Sequence, residues 1–193
     1  MKTRNHEIRR WAAYADAAYK ASGAERLATA QKFNQVTYEE SLSSDEIATF
    51  RTWDNHLVAS IRGTSVANDI VSDVYVLLGT VNASTRYHRN YAEIMRIVAQ
   101  PSTGVYLVGH SLGGSVANAI MHTSLGSKIK GCRTFNEGAG IPNIVLGNLR
   151  SKCTAYTIEG DIVSTLRTIN SDVEHVVLIA KTVQSRHTIH QFY

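Results

Sequence analysis

Ser111 lies in a pattern that is typical of a catalytic serine. The run Gly109-His110-Ser111-Leu112-Gly113 follows four apolar residues, Val105-Tyr106-Leu107-Val108, and precedes a segment that is compatible with a helix. Such a strand, tight turn and helix form a nucleophile elbow. The turn raises the serine above a parallel sheet, and the glycines let strand and helix pack closely. Because a serine hydroxyl is a poor nucleophile at neutral pH, we expect the chain to supply a base and an orienting carboxylate as well.

Asp161 is the candidate carboxylate. In folds with this elbow the chain order is Ser, Asp, His, and each partner lies at the carboxyl end of a later strand. A predicted strand, Cys153–Ile158, ends shortly before Asp161. Two rivals fit less well, because Glu159 still belongs to the last turn of this strand and Asp172 precedes the next strand, at the opposite edge of the sheet.

His187 is the candidate base, since it follows the last predicted strand, Glu174–Lys181, across a short loop. His190 lies three residues further on and is the alternative base. Four other histidines lie inside elements or away from the elbow and fit the role less well: His56, His110, His122 and His175.

An ester-cleaving serine also needs hydrogen-bond donors for the oxyanion of the reaction. The backbone N–H of Leu112 is one candidate, because it begins the helix whose dipole favours the developing negative charge. The second donor is expected in a loop after an early strand. Arg62-Gly63-Thr64 occupies such a loop, and we predict that the Thr64 N–H is this donor.

The remaining sequence predicts strands and helices in alternation. The predicted helices are 7–21, ending near Gly23, a short one over 68–73, Thr85–Gln100, a helix from Leu112 to about Ser124, and Pro142–Arg150. Besides the elbow strand, the predicted strands are Gln35–Glu39, Ile47–Thr52, Leu57–Arg62, Ile129–Phe135, Cys153–Ile158 and Glu174–Lys181. This order favours a mostly parallel central sheet with helices on both faces and an antiparallel edge hairpin, in a single domain over residues 1–193.

Composition limits the classes of function. The 193 residues are 44% hydrophobic and 19% charged, with a net charge of +4, as in a globular protein. The basic residues form no dense block, which argues against nucleic acid as a partner and allows only a mild attraction to anionic lipid surfaces. The charged start leads into no apolar signal segment and no apolar run is long enough to span a bilayer, so an intracellular location is expected.

Two further expectations follow from side-chain chemistry. Cys132 and Cys153 each lie beside or within a predicted strand, and in that compartment we expect buried free thiols rather than a disulfide. The histidines and acidic residues lack the spacing of a metal site, so neither a metal nor another cofactor is expected.

Several motifs together resemble the class 3 lipases, which are α/β-hydrolases that act on acylglycerols and phospholipids. They are Arg62-Gly63-Thr64, Asp69-Ile70-Val71-Ser72-Asp73, His88, the elbow extended to Gly114, and Asp161. The chain departs from the family pattern at Ile70, at His88-Arg89-Asn90-Tyr91 and at Phe135-Asn136-Glu137-Gly138, where the family has Trp, His-x-Gly-Phe and Phe-Gly-x-Pro. The resemblance therefore implies a small, divergent member that hydrolyses lipid esters through Ser111, Asp161 and His187, like a triacylglycerol lipase or phospholipase A1.

The resemblance also implies a lid between the oxyanion loop and the helix that carries His88. The apolar run Val74-Tyr75-Val76-Leu77-Leu78 lies there, and it is either the underside of a short lid that contacts substrate and lipid, or core packing. Two other functions remain open. The same residues can transfer an acyl group or cleave a thioester, or the chain can be a non-catalytic lipid-binding or structural module that retains the elbow.

Overall fold

A mixed sheet organises the part of the chain that the computed structural model describes, which is residues 2–64, 85–137, 152–159, 174–178 and 188–193. Within these ranges the sheet has seven strands that lie side by side in chain order. The strands are β1 Val36–Tyr38, β2 Ile47–Thr52, β3 His56–Ile61, β4 Gly104–His110, β5 Ile129–Phe135, β6 Cys153–Ile158 and β7 Glu174–Leu178. The first three strands pair antiparallel, and β3 through β7 pair parallel. The predicted mostly parallel sheet with an antiparallel edge hairpin is thus confirmed.

Helices cover both faces of this sheet, as predicted. The α-helices are α1 Lys2–Ala17, α2 Gly23–Gln31, α3 Thr85–Val98 and α4 Leu112–Met121, and short 3-10 helices span Glu40–Leu42, Ser124–Lys128 and Ile189–Phe192. Side chains of neighbouring strand residues point to opposite faces. Leu107 accordingly packs with α3 and α4 on one face, whereas Val108 packs with α1, α2 and the last 3-10 helix on the other.

The first helical region differs from the prediction. The first helix ends at Ala17, and Gly23, which was expected to close that helix, instead begins α2. Ser22 caps α2, because its hydroxyl accepts a hydrogen bond from the Glu25 N–H while the Glu25 carboxylate accepts one from the Ser22 N–H. This reciprocal capping box explains why a helix begins at Gly23, although glycine more often lies at the end of a helix.

Cys132 and Cys153 are free and buried, which confirms the prediction of unpaired thiols. They are neighbours in the register of β5 and β6. In the described part of the chain, no helix combines the length and the apolar character that crossing a bilayer requires. The predicted helices 68–73 and Pro142–Arg150, and the predicted end of the last strand at 179–181, lie outside the described residues.

Candidate active site

Ser111 occupies the turn between β4 and α4 in a backbone conformation that is rare for a residue with a side chain. Its φ is 55° and its ψ is −128°. Two hydrogen bonds hold this turn, from the Ser111 N–H to the Phe135 carbonyl at 2.9 Å and from the Ser115 N–H to the Ser111 carbonyl at 3.1 Å. Strain of this kind persists only where the surrounding structure enforces it. The predicted strand, tight turn and helix are therefore present around Ser111.

The glycines of the elbow allow two close approaches of backbone to backbone. A Cβ atom added at Gly109 would lie 2.4 Å from the carbonyl oxygen of Gly113, and one at Gly113 would lie 2.1 Å from the carbonyl oxygen of Ile61. Any larger residue would thus push α4 away from β4 or from the end of β3. Because β3 leads directly into Arg62-Gly63-Thr64, the contact at Gly113 also brings the elbow against that loop.

Gly63 lies directly against the nucleophile turn. A Cβ atom at this position would lie 3.2 Å from the Cβ of Ser111 and 2.6 Å from the carbonyl oxygen of His110. The Gly63 N–H donates a hydrogen bond to the Tyr19 hydroxyl at 3.0 Å. This bond occupies the Gly63 amide, so the Thr64 N–H remains the candidate oxyanion donor in the loop. Leu112 is the first residue of α4, where backbone N–H groups have no partner within the helix, and the Ser111 side chain does not cap them.

The peptide group before Gly63 is also held firmly. The Arg62 N–H donates to the Glu46 carbonyl at 2.8 Å, and the Arg62 carbonyl accepts a hydrogen bond from the Arg86 guanidinium. Burial is the largest influence on Arg86 and lowers the pKa of its guanidinium, while the charge of Glu46 opposes this shift. The loop thus enters the site between fixed hydrogen bonds, which is the preorganisation that an oxyanion hole requires.

The carboxyl ends of β5 and β6 lie at the same edge of the sheet as Ser111. Asn136, which follows β5, has a positive φ of 42°. Its N–H donates to the Tyr156 carbonyl and its Oδ1 accepts from the Ile158 N–H, both at 2.9 Å. The chain therefore leaves β6 towards Asp161 from the edge of the sheet that carries the elbow.

Both proposed partners of Ser111 lie outside the described residues, as do Asp172 and the run with Val74, Tyr75, Leu77 and Leu78. The alternatives Glu159 and His190 are described and are exposed. The chain after His187 is anchored on the sheet, because the Phe192 ring packs edge-to-face on Phe135, the last residue of β5, with 4.8 Å between the ring centroids.

Two residues of this edge, Tyr19 and Asn136, were not predicted as site residues from the sequence. A signal for Asn136 existed, since it stands where the resembled family has glycine, and asparagine tolerates positive φ better than most residues. Tyr19 belongs to no motif, and only the tertiary fold brings it to the elbow. Among the described residues there is no group of three or more metal-binding side chains.

Comparisons with known proteins agree with this architecture. A family model described as phospholipase-like, Tle-like phospholipase domain, matches residues 11–191. The fold is similar to that of a mutant form of MDLA from Penicillium cyclopium, with 17% identity, a TM-score of 0.56 and coverage of 94% of this chain and 82% of that one. A structure described as that of fungal lipases has 15% identity and a TM-score of 0.54, with the same two coverages. Among curated proteins, none matches the chain significantly.

Proposed function

We propose that this chain, which belongs to the Tle-like phospholipase domain family, hydrolyses carboxylic esters of lipids with Ser111 as the nucleophile. The observation that carries the proposal is the strained turn of Ser111 packed directly against Gly63. A residue other than glycine that is held at positive φ lowers the stability of the folded state. This turn also places a hydroxyl beside the first amide of a helix and a glycine loop, which is the arrangement that acyl transfer needs.

In the proposed reaction the Ser111 Oγ attacks the ester carbonyl carbon while His187 takes the hydroxyl proton. The carbonyl π-electron pair moves to oxygen and forms the tetrahedral oxyanion. When the oxyanion collapses, the bond to the leaving alcohol breaks and His187 returns the proton to that alcohol. A water molecule, deprotonated by His187, then releases the fatty acid from the acyl-enzyme by the same steps. Asp161 holds the imidazole in the required tautomer and stabilises its protonated form.

The Leu112 and Thr64 N–H groups are the proposed oxyanion donors. Support for Leu112 comes from its place at the start of α4, and support for Thr64 comes from the contact of the preceding glycine with Ser111. Loss of one such donor typically lowers kcat by about 10²–10³-fold. A lipid ester is the proposed substrate because of the family description, while the head group and chain length are to be found by screening.

Covalent labelling with a fluorophosphonate tests the nucleophile separately from the choice of substrate. We expect the intact protein to be labelled at Ser111, Ser111→Ala to lose labelling completely, and His187→Ala and Asp161→Ala to react at least about a hundredfold more slowly. His190→Ala is the matched control, since it removes an exposed histidine three residues from the proposed base and should label normally.

Two outcomes would contradict the proposal. Absence of labelling in the intact protein, with and without detergent micelles, would favour a non-catalytic module. Loss of labelling in His190→Ala together with normal labelling of His187→Ala would exchange the two histidines and overturn the assignment of the base. If labelling succeeds, phospholipid and acylglycerol esters can be screened, and competing alcohols would reveal acyl transfer.

A further inference from the structure

One tyrosine hydroxyl links the elbow to the proposed oxyanion loop. Tyr19 follows α1, and its hydroxyl accepts a hydrogen bond from the Gly63 N–H at 3.0 Å. The same oxygen lies 2.8 Å from the Nδ1 of His110, the residue directly before Ser111. These groups are 44 and 91 residues from Tyr19 along the chain. Neither contact therefore arises from local structure.

The chemistry of the phenol suits this double contact. Burial raises the pKa of Tyr19 to about 12, against the Gly63 hydrogen bond and the nearby Arg86 and Arg62 charges, which lower it. The group is therefore neutral at physiological pH, with one proton and two lone pairs. It can accept from the Gly63 N–H and at the same time donate its proton to His110 Nδ1. The two rings also meet edge-to-face at 5.7 Å.

The fit around this hydroxyl leaves no room for the loop to shift towards Tyr19. A Cβ atom at Gly63 would lie 2.4 Å from the Tyr19 oxygen. The Tyr19 hydroxyl, the His110 carbonyl and the Ser111 Cβ all lie around the position where a side chain at Gly63 would begin. The Gly63 N–H belongs to the peptide plane before the one that carries the Thr64 N–H, so holding it fixes the point from which the two dihedrals of Gly63 direct that donor.

We propose that Tyr19 is a positioning residue that sets the direction of the Thr64 N–H toward the oxyanion. This inference rests on the proposed function, because it assigns Tyr19 a part in transition-state stabilisation by the same site. Removal of the hydroxyl leaves the Gly63 N–H without its acceptor, so that only the hydrogen bonds on Arg62 still hold this part of the loop and Gly63 can move relative to Ser111. The substrate is then bound as before, but the donor is less well aligned when negative charge develops.

Tyr19→Phe tests the proposal, because it retains the ring and removes only the hydroxyl. With an ester that the intact protein hydrolyses, we expect kcat to fall about tenfold and KM to change by less than about twofold. Since Tyr19 is neutral over the whole assay range, the loss should be the same between about pH 6 and pH 9. A reversible trifluoromethyl ketone inhibitor, whose bound oxyanion needs the same donors, should bind about tenfold more weakly.

The number of active sites separates positioning from general damage. We would count sites from the stoichiometry of fluorophosphonate incorporation and express kcat per labelled site. A merely structural role would reduce the labelled fraction and leave kcat per site unchanged. Tyr38→Phe is the matched control, because its hydroxyl also accepts a hydrogen bond, from the Arg26 guanidinium at 3.0 Å, but lies on β1, the first strand of the sheet. It should leave kcat per site unchanged.

His110→Leu provides a second variant that removes the other partner of the hydroxyl, and it should show a similar fall in kcat per site. Unchanged kcat per site in a folded Tyr19→Phe or His110→Leu variant would overturn the inference while the proposed function stands. Absence of labelling and of hydrolysis in the intact protein would overturn both. A fall in kcat that is equal in Tyr19→Phe and Tyr38→Phe would also overturn the inference, since it would show a general effect of losing a phenol.

Discussion

At the scale of single residues, Ser111 joins conformational strain to the proposed chemistry. Residues with side chains in sparsely populated backbone regions cost about 1–3 kcal/mol each. The elbow maintains this conformation through the contacts of Gly109 and Gly113 and through the hydrogen bond to the Phe135 carbonyl. A residue at 111 with relaxed backbone dihedrals would not make so tight a turn from β4 into α4. The strain is thus a consequence of the tight turn that the proposed chemistry requires.

This strain predicts an unusual effect of glycine. Ser111→Gly should have a free energy of unfolding about 1 kcal/mol higher than Ser111→Ala, because glycine adopts positive φ without steric cost. Urea denaturation of both inactive variants measures the difference. Ser115 is the matched control, since it lies inside α4 with helical geometry. There glycine should be about 1 kcal/mol less stable than alanine. If glycine were more stable than alanine at both positions, or less stable at both, the explanation by strain would be wrong.

At the scale of elements, Glu46 connects the start of β2 to α3 and to the loop after β3. Its carboxylate accepts hydrogen bonds from the Asn90 side chain at 2.8 Å and from the Arg89 guanidinium, and its carbonyl accepts from the Arg62 N–H. Burial alone would raise the pKa of Glu46, but the hydrogen bonds and charges of Arg89 and Arg86 outweigh burial and lower it. The hydrogen bonds and charges around Glu46 therefore stabilise the folded state when the Glu46 carboxyl group is ionised.

Glu46→Gln should lower the free energy of unfolding by about 1–2 kcal/mol near neutral pH. Because the folded-state pKa of Glu46 is lowered, its stabilisation is fully present above the unfolded value of about 4.3 and is lost as pH falls through the folded-state pKa. The difference in the free energy of unfolding between the intact protein and the variant should therefore shrink from about pH 5 towards about pH 3. Urea denaturation of both proteins at several pH values in this range measures the difference.

Glu40→Gln is the control for this pH dependence. Glu40 is exposed in the 3-10 helix before β2, and its side chain forms no hydrogen bond or ion pair within the described residues. The control variant should match the intact protein at every pH. If the loss of stability in Glu46→Gln stays constant down to about pH 3, the charge of Glu46 does not explain that loss, and the shape of the side chain does.

The same scale shows what the sequence alone can predict. Periodicity identified β2, β3 and β5 closely, because an alternating or wholly apolar run limits the choice of element. It did not predict α2, because Gly23 was taken as the end of the first helix, whereas a capping box at Ser22 begins a second helix there. At the site, Ser111 and the Gly63 loop carry local motifs. Tyr19 carries none, because its role arises from a contact between distant segments.

At the scale of the whole molecule, the sheet separates two cores. One contains the buried faces of α3 and α4, and the other contains those of α1 and α2 together with the last 3-10 helix. Strand β4 contributes to both, through Leu107 and Val108, and ends at the elbow. Ser111, the proposed nucleophile, therefore follows a strand that is packed on both faces of the sheet, so rigidity of the proposed site depends on the global fold.

The two thiols report on that global fold. Cys132 and Cys153 lie on β5 and β6 in the core that contains α3 and α4, and both are at most 3% exposed. The hydrogen bond with Cys153 and burial raise the pKa of the Cys132 thiol, which opposes formation of the reactive thiolate.

We expect a disulfide reagent to modify neither thiol of the folded protein at the rate of free cysteine, and reaction should be slower by at least about a thousandfold. Urea should expose both thiols in one transition that coincides with the loss of helical circular dichroism. The variants Cys132→Ala and Cys153→Ala, each with one remaining thiol, should give the same midpoint for both signals. Fast modification of either thiol before the circular dichroism changes would show that β5 and β6 separate locally. The edge that carries Ser111 would then open independently of the rest of the sheet.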